Sequence, residues 1–275
     1  MAPLAQTLAL LAMTVATTAV EVVTLDMAQD SFDDQYRGCG PAMTAALPAL
    51  NRSEFQQNPL FAQAWVKARA QWQSRGSPVS PLSSPAQAIA LMAYTMDDVY
   101  REFNAAVRTA GQRYRGKFHF KTLHFLLTDA MATLRNTLQG QQCHNVYRGA
   151  NKPFNAKTGD IVRFGQFAST SQSEAIAKDF GGATVFQVYT CNGAGIQEFS
   201  NDPGEKEVLI PPFETFKVTN YTQKKNERKI ELRSYGTHSN YNCEWLQGGS
   251  IPRAPFHVGG LLLVTTTLAV ATGIL

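Results

Sequence analysis

The hydrophobic pattern changes period near residue 140, and that change restricts the fold more than any single motif. Before it, apolar residues recur at helical spacing. Residues 41–50 form an Ala/Leu segment. In residues 60–72, Leu60, Ala64, Lys67 and Ala68 fall at helical spacing, with Phe61, Trp65 and Trp72 adding bulk. Residues 74–85, "SRGSPVSPLSSP", read as a loop. Residues 86–94 read as a short buried helix, and Asp97 is placed to cap a helix reaching about residue 110. In residues 118–138, Phe120, Leu123, His124, Leu127, Met131 and Leu134 lie on one helical face. After the change come short β-rich runs: "NVYRG", "DIVRF", "FASTS", "ATVFQVYTC", "EVLI", "TFKVTNY" and "RKIELRSY". One short helix, residues 173–180 with Ser173 as its cap, interrupts them. Helices followed by strands predict an α+β fold. Its N-terminal helical part (41–138) packs on a mixed, mainly antiparallel β-sandwich (143–246).

The two ends of the chain speak to compartment. Residues 1–20 contain no charged side chain, and small residues sit near Ala19. They read as a secretory signal peptide over residues 1–19; the competing reading is a buried N-terminal helix. Residues 258–275 are uncharged and mostly apolar, with the small residues Gly248, Gly249 and Ser250 ahead of a short spacer. That is the pattern of a GPI-attachment propeptide over residues 250–275, with a retained transmembrane tail or a trimmed, secreted form as alternatives. What remains, residues 20–249, suits a single domain. Hydrophobic content of 44% against 17% charged describes a folded globule rather than a disordered chain. A net charge of +4 leaves no nucleic-acid footprint. The four cysteines, Cys39, Cys143, Cys191 and Cys243, form no CxxC pair, so zinc is disfavoured. In an oxidising compartment they predict two disulfides, and three pairings are open. Asn51 and Asn220 head glycosylation sequons.

Several chemistries are excluded by absence. There is no GxGxxG, GxxxxGK[ST], HExxH or GxSxG string. "CNGAG" lacks a third glycine, and His119 and His124 read as packing residues. The stretch "DPGEKEVLIPP" places Glu205 and Glu207 two residues apart. On a strand they share one face, with Cβ atoms roughly 6–7 Å apart, while Lys206 faces away. Two carboxylates so placed repel, their pKa values separate, and the pair suits glycosidic chemistry. Taken alone, the stretch reads as a solvated strand end. Arg148 closes an apolar strand before a glycine, where its guanidinium is placed to grip a diphosphate. Ser169 and Ser171 share a face of "FASTS".

In this order, an arginine, an aromatic-x-Ser-x-Ser strand and then ExE, the motifs resemble the Arg-Ser-Glu class of ADP-ribosyltransferases. The longer strings "LDMAQDSFDDQYRGC", "EFNAAVR", "FHFKTLHFLLTDA", "FGQFASTS", "PGEKEVLIPPFETFKV" and "HSNYNCE" resemble the vertebrate arginine-specific ecto-mono-ADP-ribosyltransferases across nearly the whole mature chain. The resemblance implies the fold of that family and transfer of ADP-ribose from NAD, or NADP, to arginine. It implies that Arg148 holds the NAD phosphates and that Ser169 orients the catalytic glutamate. Glu207 would stabilise the oxocarbenium-like transition state, and Glu205 would receive the target guanidinium. Tyr94, Gln166, Ser200 and Phe180 match positions that contact NAD, Phe180 by stacking on nicotinamide. The implied disulfides are Cys39–Cys243 and Cys143–Cys191. No prosthetic group or metal is implied. The expected partners are NAD and arginine-bearing proteins or small guanidino acceptors. The expected form is a monomer, held at the cell surface by a lipid anchor or released into a secreted or granule-lumen pool. Two other readings stay open: a mainly NAD-hydrolysing enzyme, and a catalytically silent surface binding module.

Overall fold

The computed structural model describes residues 21–137, 143–224 and 227–248. The expected signal peptide and anchor propeptide, residues 1–19 and 250–275, lie outside the described residues.

The chain enters through β1 (Val23–Thr24) and then builds the helical layer. Helix α1 (Gly40–Gln57) runs past the expected residue 50, through Pro48, because Met43, Leu50 and Glu54 form one buried stripe. Helix α2 (Pro59–Ser74) buries Phe61, Ala64, Ala68 and Trp72 at helical spacing; the Asn58 side chain caps it by accepting from the Phe61 N–H at 3.1 Å. Helix α3 (Pro85–Thr95) is capped by Ser84 and is buried from Gln87 through Tyr94. Helix α4 (Tyr100–Thr109) has no side-chain cap, so Asp97 does not do the capping expected of it. A short α5 (Tyr114–Lys117) leads to α6 (Lys121–Thr137). The N–H groups at the start of α6, which have no partner within the helix, are satisfied from a distance. The buried Glu54 carboxylate accepts from Lys121 N at 2.6 Å and Thr122 N at 2.8 Å, where a helix dipole favours negative charge.

The strand region comprises β2 (His144–Ala150), β3 (Phe154–Asn155), β4 (Ile161–Val162), β5 (Ala168–Ser171), β6 (Thr184–Thr190), β7 (Ala194–Gly195), β8 (Glu207–Ile210), β9 (Glu214–Lys224) and β10 (Glu227–Thr237). Helix α7 (Glu174–Asp179) follows β5, with Ser173 as its cap. A final turn of helix, α8 (Glu244–Gly248), ends the described chain. β1 pairs with β3. The other eight strands form one ladder in the order β4-β9-β10-β6-β2-β5-β8-β7, parallel only between β6 and β10.

The expected sandwich is therefore two wings of a single ladder, narrowing to one residue pair, Tyr147↔Ser171, where β2 meets β5. Val208 and Ile210 of β8 join Val146, Phe186, Phe216 and Ile230 of the other wing in one apolar core. Leu209, alternating to the opposite face, joins Phe61, Phe103, Phe167 and the rest of the helical core. The β5-β8-β7 wing is thus covered on both sides, and all four residues of β8 are buried.

The ends of the described chain are tied together. Asp33 and Arg163 form a fully buried ion pair at 2.5 Å. Asp33 also accepts from Asn240 N and Tyr241 N, and Arg163 donates to the carbonyls of Met27, Ala28 and His238. Asp34 accepts from Cys243 N and Glu244 N. The Cys39–Cys243 disulfide closes the same regions covalently, and Cys143–Cys191 joins the start of β2 to the end of β6. Among the described residues no helix is long and apolar enough to cross a membrane. Removing the Asp33 carboxylate strands a buried guanidinium, so Asp33→Ala is expected to cost about 3–5 kcal/mol in denaturant unfolding monitored with the disulfides intact.

Candidate active site

β8 pairs with β5 through Ala168↔Ile210, Ser169↔Leu209, Thr170↔Val208 and Ser171↔Glu207. Cross-strand partners share a face, so Ser169, Ser171, Glu207 and Leu209 all point toward the helical layer. There, beside α3 and α4, the chain leaves a cavity lined by Tyr94, Thr95, Asp97, Tyr100, Asn104, Tyr147, Arg148, Ser169, Ser171, Phe180, Glu205 and Glu207, among others. The narrow joint between β2 and β5 forms its floor.

Glu207 is 4% exposed. Burial pushes its carboxyl up to about 7; the neighbouring Glu205 charge pushes the same way, and hydrogen bonds from Ser169 and Ser200 and the charge of Arg148 oppose the rise. Ser169 connects this carboxyl to the helical layer, its Oγ lying 3.3 Å from the Tyr94 hydroxyl. Tyr94 donates to Phe167 O at 3.0 Å and accepts from Asn104 Nδ2 at 3.1 Å. Its phenol, wholly buried and near Glu207, is pushed up to about 12.

Arg148 donates from Nη1 to Ser169 O at 2.6 Å, and no carboxylate pairs with it among the described residues. Arg108 lies near enough for burial and the Arg148 charge together to lower its pKa. Arg108 is exposed and off the cavity lining, so of the two guanidinium groups it is Arg148 that is placed there to attract an anion.

Glu205 departs from the expected geometry. It is not on the strand: it closes a single 3-10 turn, Pro203–Glu205, and Lys206 takes a left-handed conformation, φ 49°. The turn forms because Asp202 caps it, accepting from Gly204 N at 2.8 Å. Ser171 Oγ donates to Glu205 O at 2.7 Å and fixes the turn against β5. Both carboxyls reach the cavity, yet one rides on a ladder and the other on a turn. Burial, together with the charges of Asp202 and Asp97, raises the Glu205 carboxyl.

Of the residues singled out in the sequence, Arg148, Ser169, Glu205, Glu207, Tyr94 and Phe180 line the cavity. Phe180 stands at its rim, 57% exposed. Ser200 and Gln166 are not on the lining. Ser200 is fully buried behind Glu207, its Oγ 3.5 Å from Oε2. Gln166 instead accepts a hydrogen bond from Arg108. Sequence reasoning gave no role to Arg108, Asn104, Tyr100 or Tyr147. The first two sit in the string "EFNAAVR", and the pair Asn104 and Arg108, one helical turn apart on α4, was the available signal. Asn104 Oδ1 is buried without a hydrogen bond at the cavity wall. Asp97 belongs to the cavity mouth rather than to a helix cap. Asn51 lies inside α1 with a buried, unpartnered Oδ1, whereas Asn220 is exposed on β9.

The raised Glu207 pKa has a stability consequence. Between about pH 4.5 and about 7 the unfolded chain ionises this carboxyl and the folded chain does not. Native stability therefore falls as pH rises through that window and stays reduced above it. Glu207→Gln removes the penalty. It is expected to raise the melting temperature of the ligand-free protein at pH 8, by a free energy of up to about 3 kcal/mol, and to leave it unchanged near pH 4.

With this geometry in place, the chain compares closely with known proteins. The model of the family described as NAD:arginine ADP-ribosyltransferase matches residues 25–240. The erythroblast NAD(P)(+)–arginine ADP-ribosyltransferase of Gallus gallus is 49% identical over 235 residues, covering 83% of this chain and 78% of that protein. The GPI-linked NAD(P)(+)–arginine ADP-ribosyltransferase 1 of Homo sapiens is 44% identical over 258 residues, covering 86% and 78%. The crystal structure of the mono-ADP-ribosyltransferase ART2.2 superposes with a TM-score of 0.72 at 37% identity, covering 80% of this chain and 98% of that one. A variant of that enzyme solved in complex with NAD gives 0.70 at 35% identity with the same coverage. On a family match spanning most of its length and relatives this similar, the chain belongs to the NAD:arginine ADP-ribosyltransferase family.

Proposed function

We propose that this chain transfers the ADP-ribose of NAD to arginine side chains, with Glu207, Arg148, Ser169 and Glu205 carrying the reaction. The observation that carries this reading is the meeting of three groups in one cavity: a buried carboxyl, a guanidinium with no carboxylate partner among the described residues, and a second carboxyl at the mouth. Arg148 holds the diphosphate. Ionised Glu207 stabilises the positive charge that grows on the nicotinamide ribose as the bond from C1′ to the nicotinamide nitrogen breaks and neutral nicotinamide leaves. Because the Glu207 carboxyl is buried, this interaction is worth more than in solution, and Ser169 aims the carboxylate. Glu205 binds the incoming guanidinium and accepts its proton as nitrogen bonds to C1′. The products are ADP-ribosyl-arginine, nicotinamide and one proton. NAD brings an activated glycosidic bond of its own, so the reading calls for neither a metal nor a prosthetic group.

The same reading takes residues 20–249 as one catalytic domain acting as a monomer at the cell surface. GPI linkage of the human relative and the two disulfides support it. If the anchor is present, phosphatidylinositol-specific phospholipase C releases the enzyme from intact cells; retention on the cells refutes the anchor.

The decisive experiment supplies labelled NAD and agmatine and counts ADP-ribosyl-agmatine and free ADP-ribose separately. Glu207→Gln is expected to lower both by about 10²–10³-fold. Glu205→Gln is expected to lose transfer while keeping hydrolysis, and equal loss of both contradicts the roles assigned. Because Glu207 acts ionised and burial holds its carboxyl near 7, kcat/KM for NAD should rise with pH through about 7 and then level off. Ser169→Ala removes a hydrogen bond to the carboxylate and should move that inflection to higher pH.

A further inference from the structure

The two carboxyls of the site are held by different devices. Glu207 belongs to the ladder: it pairs with Ser171, and its carbonyl accepts from Ile196 N at 3.0 Å. Glu205 rides on the turn of residues 200–206, whose far end rests on Ser171 and Gln172 of the β5 edge. The near end touches the ladder only through Ser200 Oγ, 3.5 Å from Glu207 Oε2. It is gripped from the helical layer: Asn201 N donates to Thr95 Oγ1 at 2.8 Å. Arg75, the residue that ends α2, donates from Nη1 to Ser200 O at 2.6 Å and from Nη2 to Asn201 O at 2.5 Å. A planar fork on two successive carbonyls fixes both position and orientation of the backbone it holds. Arg75 does not line the cavity and has no carboxylate partner among the described residues.

We infer that Arg75 is a positioning residue for the acceptor step: by clamping the stem of the turn it holds Glu205 over the cavity, and so it sets how ADP-ribose is divided between guanidinium and water. The inference rests on the reading of Glu205 as the acceptor carboxylate. Without the fork, the near end of the turn keeps the Thr95 contact and the longer Ser200 Oγ contact to Glu207, neither of which fixes the orientation of its backbone, and the Glu205 carboxylate spreads over more positions. A displacement of about 1 Å is enough to lose a large factor in rate. Glu207 is secured by its ladder bonds, and water needs no docking, so NAD cleavage is less affected.

The test measures both products in one reaction of the full catalytic chain with NAD and agmatine. For R75A, transfer is expected to fall about tenfold with a raised KM for agmatine. Hydrolysis and KM for NAD should stay within about twofold, so the transfer-to-hydrolysis ratio drops about tenfold. R75K keeps the charge but not the fork and should fall between R75A and wild type. If R75A folds poorly, the ratio in R75K decides. A parallel fall of both products, or an unchanged ratio, overturns the assignment and leaves Arg75 a structural residue. E205Q run alongside separates the two ideas. A ratio moved by E205Q but not by the Arg75 variants overturns the clamp; a ratio moved by R75A but not by E205Q overturns the acceptor role of Glu205.

Discussion

Strand β8 has an apolar core against each of its faces, one built with the opposite wing of the sheet and one with the helices. Alternation sends Val208 and Ile210 into the first and Leu209 into the second, and leaves Glu207, at the strand's start, facing the helical side. The carboxyl is therefore taken out of water by the same packing that stabilises the wing. Its raised pKa, its dependence on Ser169 and Ser200, and the expected cost in stability all follow from that burial. The fold accepts a carboxyl that weakens it, and on the proposed reaction that same burial strengthens its attraction for a developing positive charge.

The opposite side of the site is assembled from pieces far apart in sequence. Arg148 comes from β2, Tyr94 from α3, Asn104 from α4 and Glu205 from a turn ahead of β8. Their mutual positions depend on how the helical layer sits on the sheet. Three linkages maintain that seating. The Asp33–Arg163 pair joins the entering chain to the sheet, Asp34 and the Cys39–Cys243 disulfide join it to the closing segment, and Glu54 caps α6 from α1. Each joins groups that water would otherwise solvate separately, so each carries information about the whole fold rather than about one element.

Much of the fold was legible in the sequence. Period and punctuation located α2, α3 and α6, the Ser173 cap of α7, and the strands around "NVYRG", "FASTS" and "EVLI", because each has a strong local signal: a capping side chain, a proline at the helix start, a β-rich run or, for α6, a sustained apolar helical period. Where local signals were weak the reading drifted. Helix α1 continues through polar residues because Leu50 and Glu54 find partners on other elements, which no local pattern records. Asp97 looks like a cap by composition, yet the helix begins at Tyr100 and the aspartate faces the cavity. Glu205 looked like a strand residue because "EKEVLI" reads as one run; the Asp202 cap and the left-handed Lys206 break it after Glu205.

The sequence by itself determined the order of helices and strands, the chemistry of the side chains available, and the ordered Arg148, Ser169, Glu205 and Glu207 set. These are properties of neighbours along the chain, and local sterics and hydrogen bonding write them there. Tertiary structure alone decided which of them meet and in what state. It put Arg108 near Arg148, Ser200 behind Glu207 and Arg75 on the stem of the turn that carries Glu205. It also turned an ordinary glutamate into one that ionises near neutrality, because burial and through-space charge depend on what packs nearby rather than on what is adjacent in sequence.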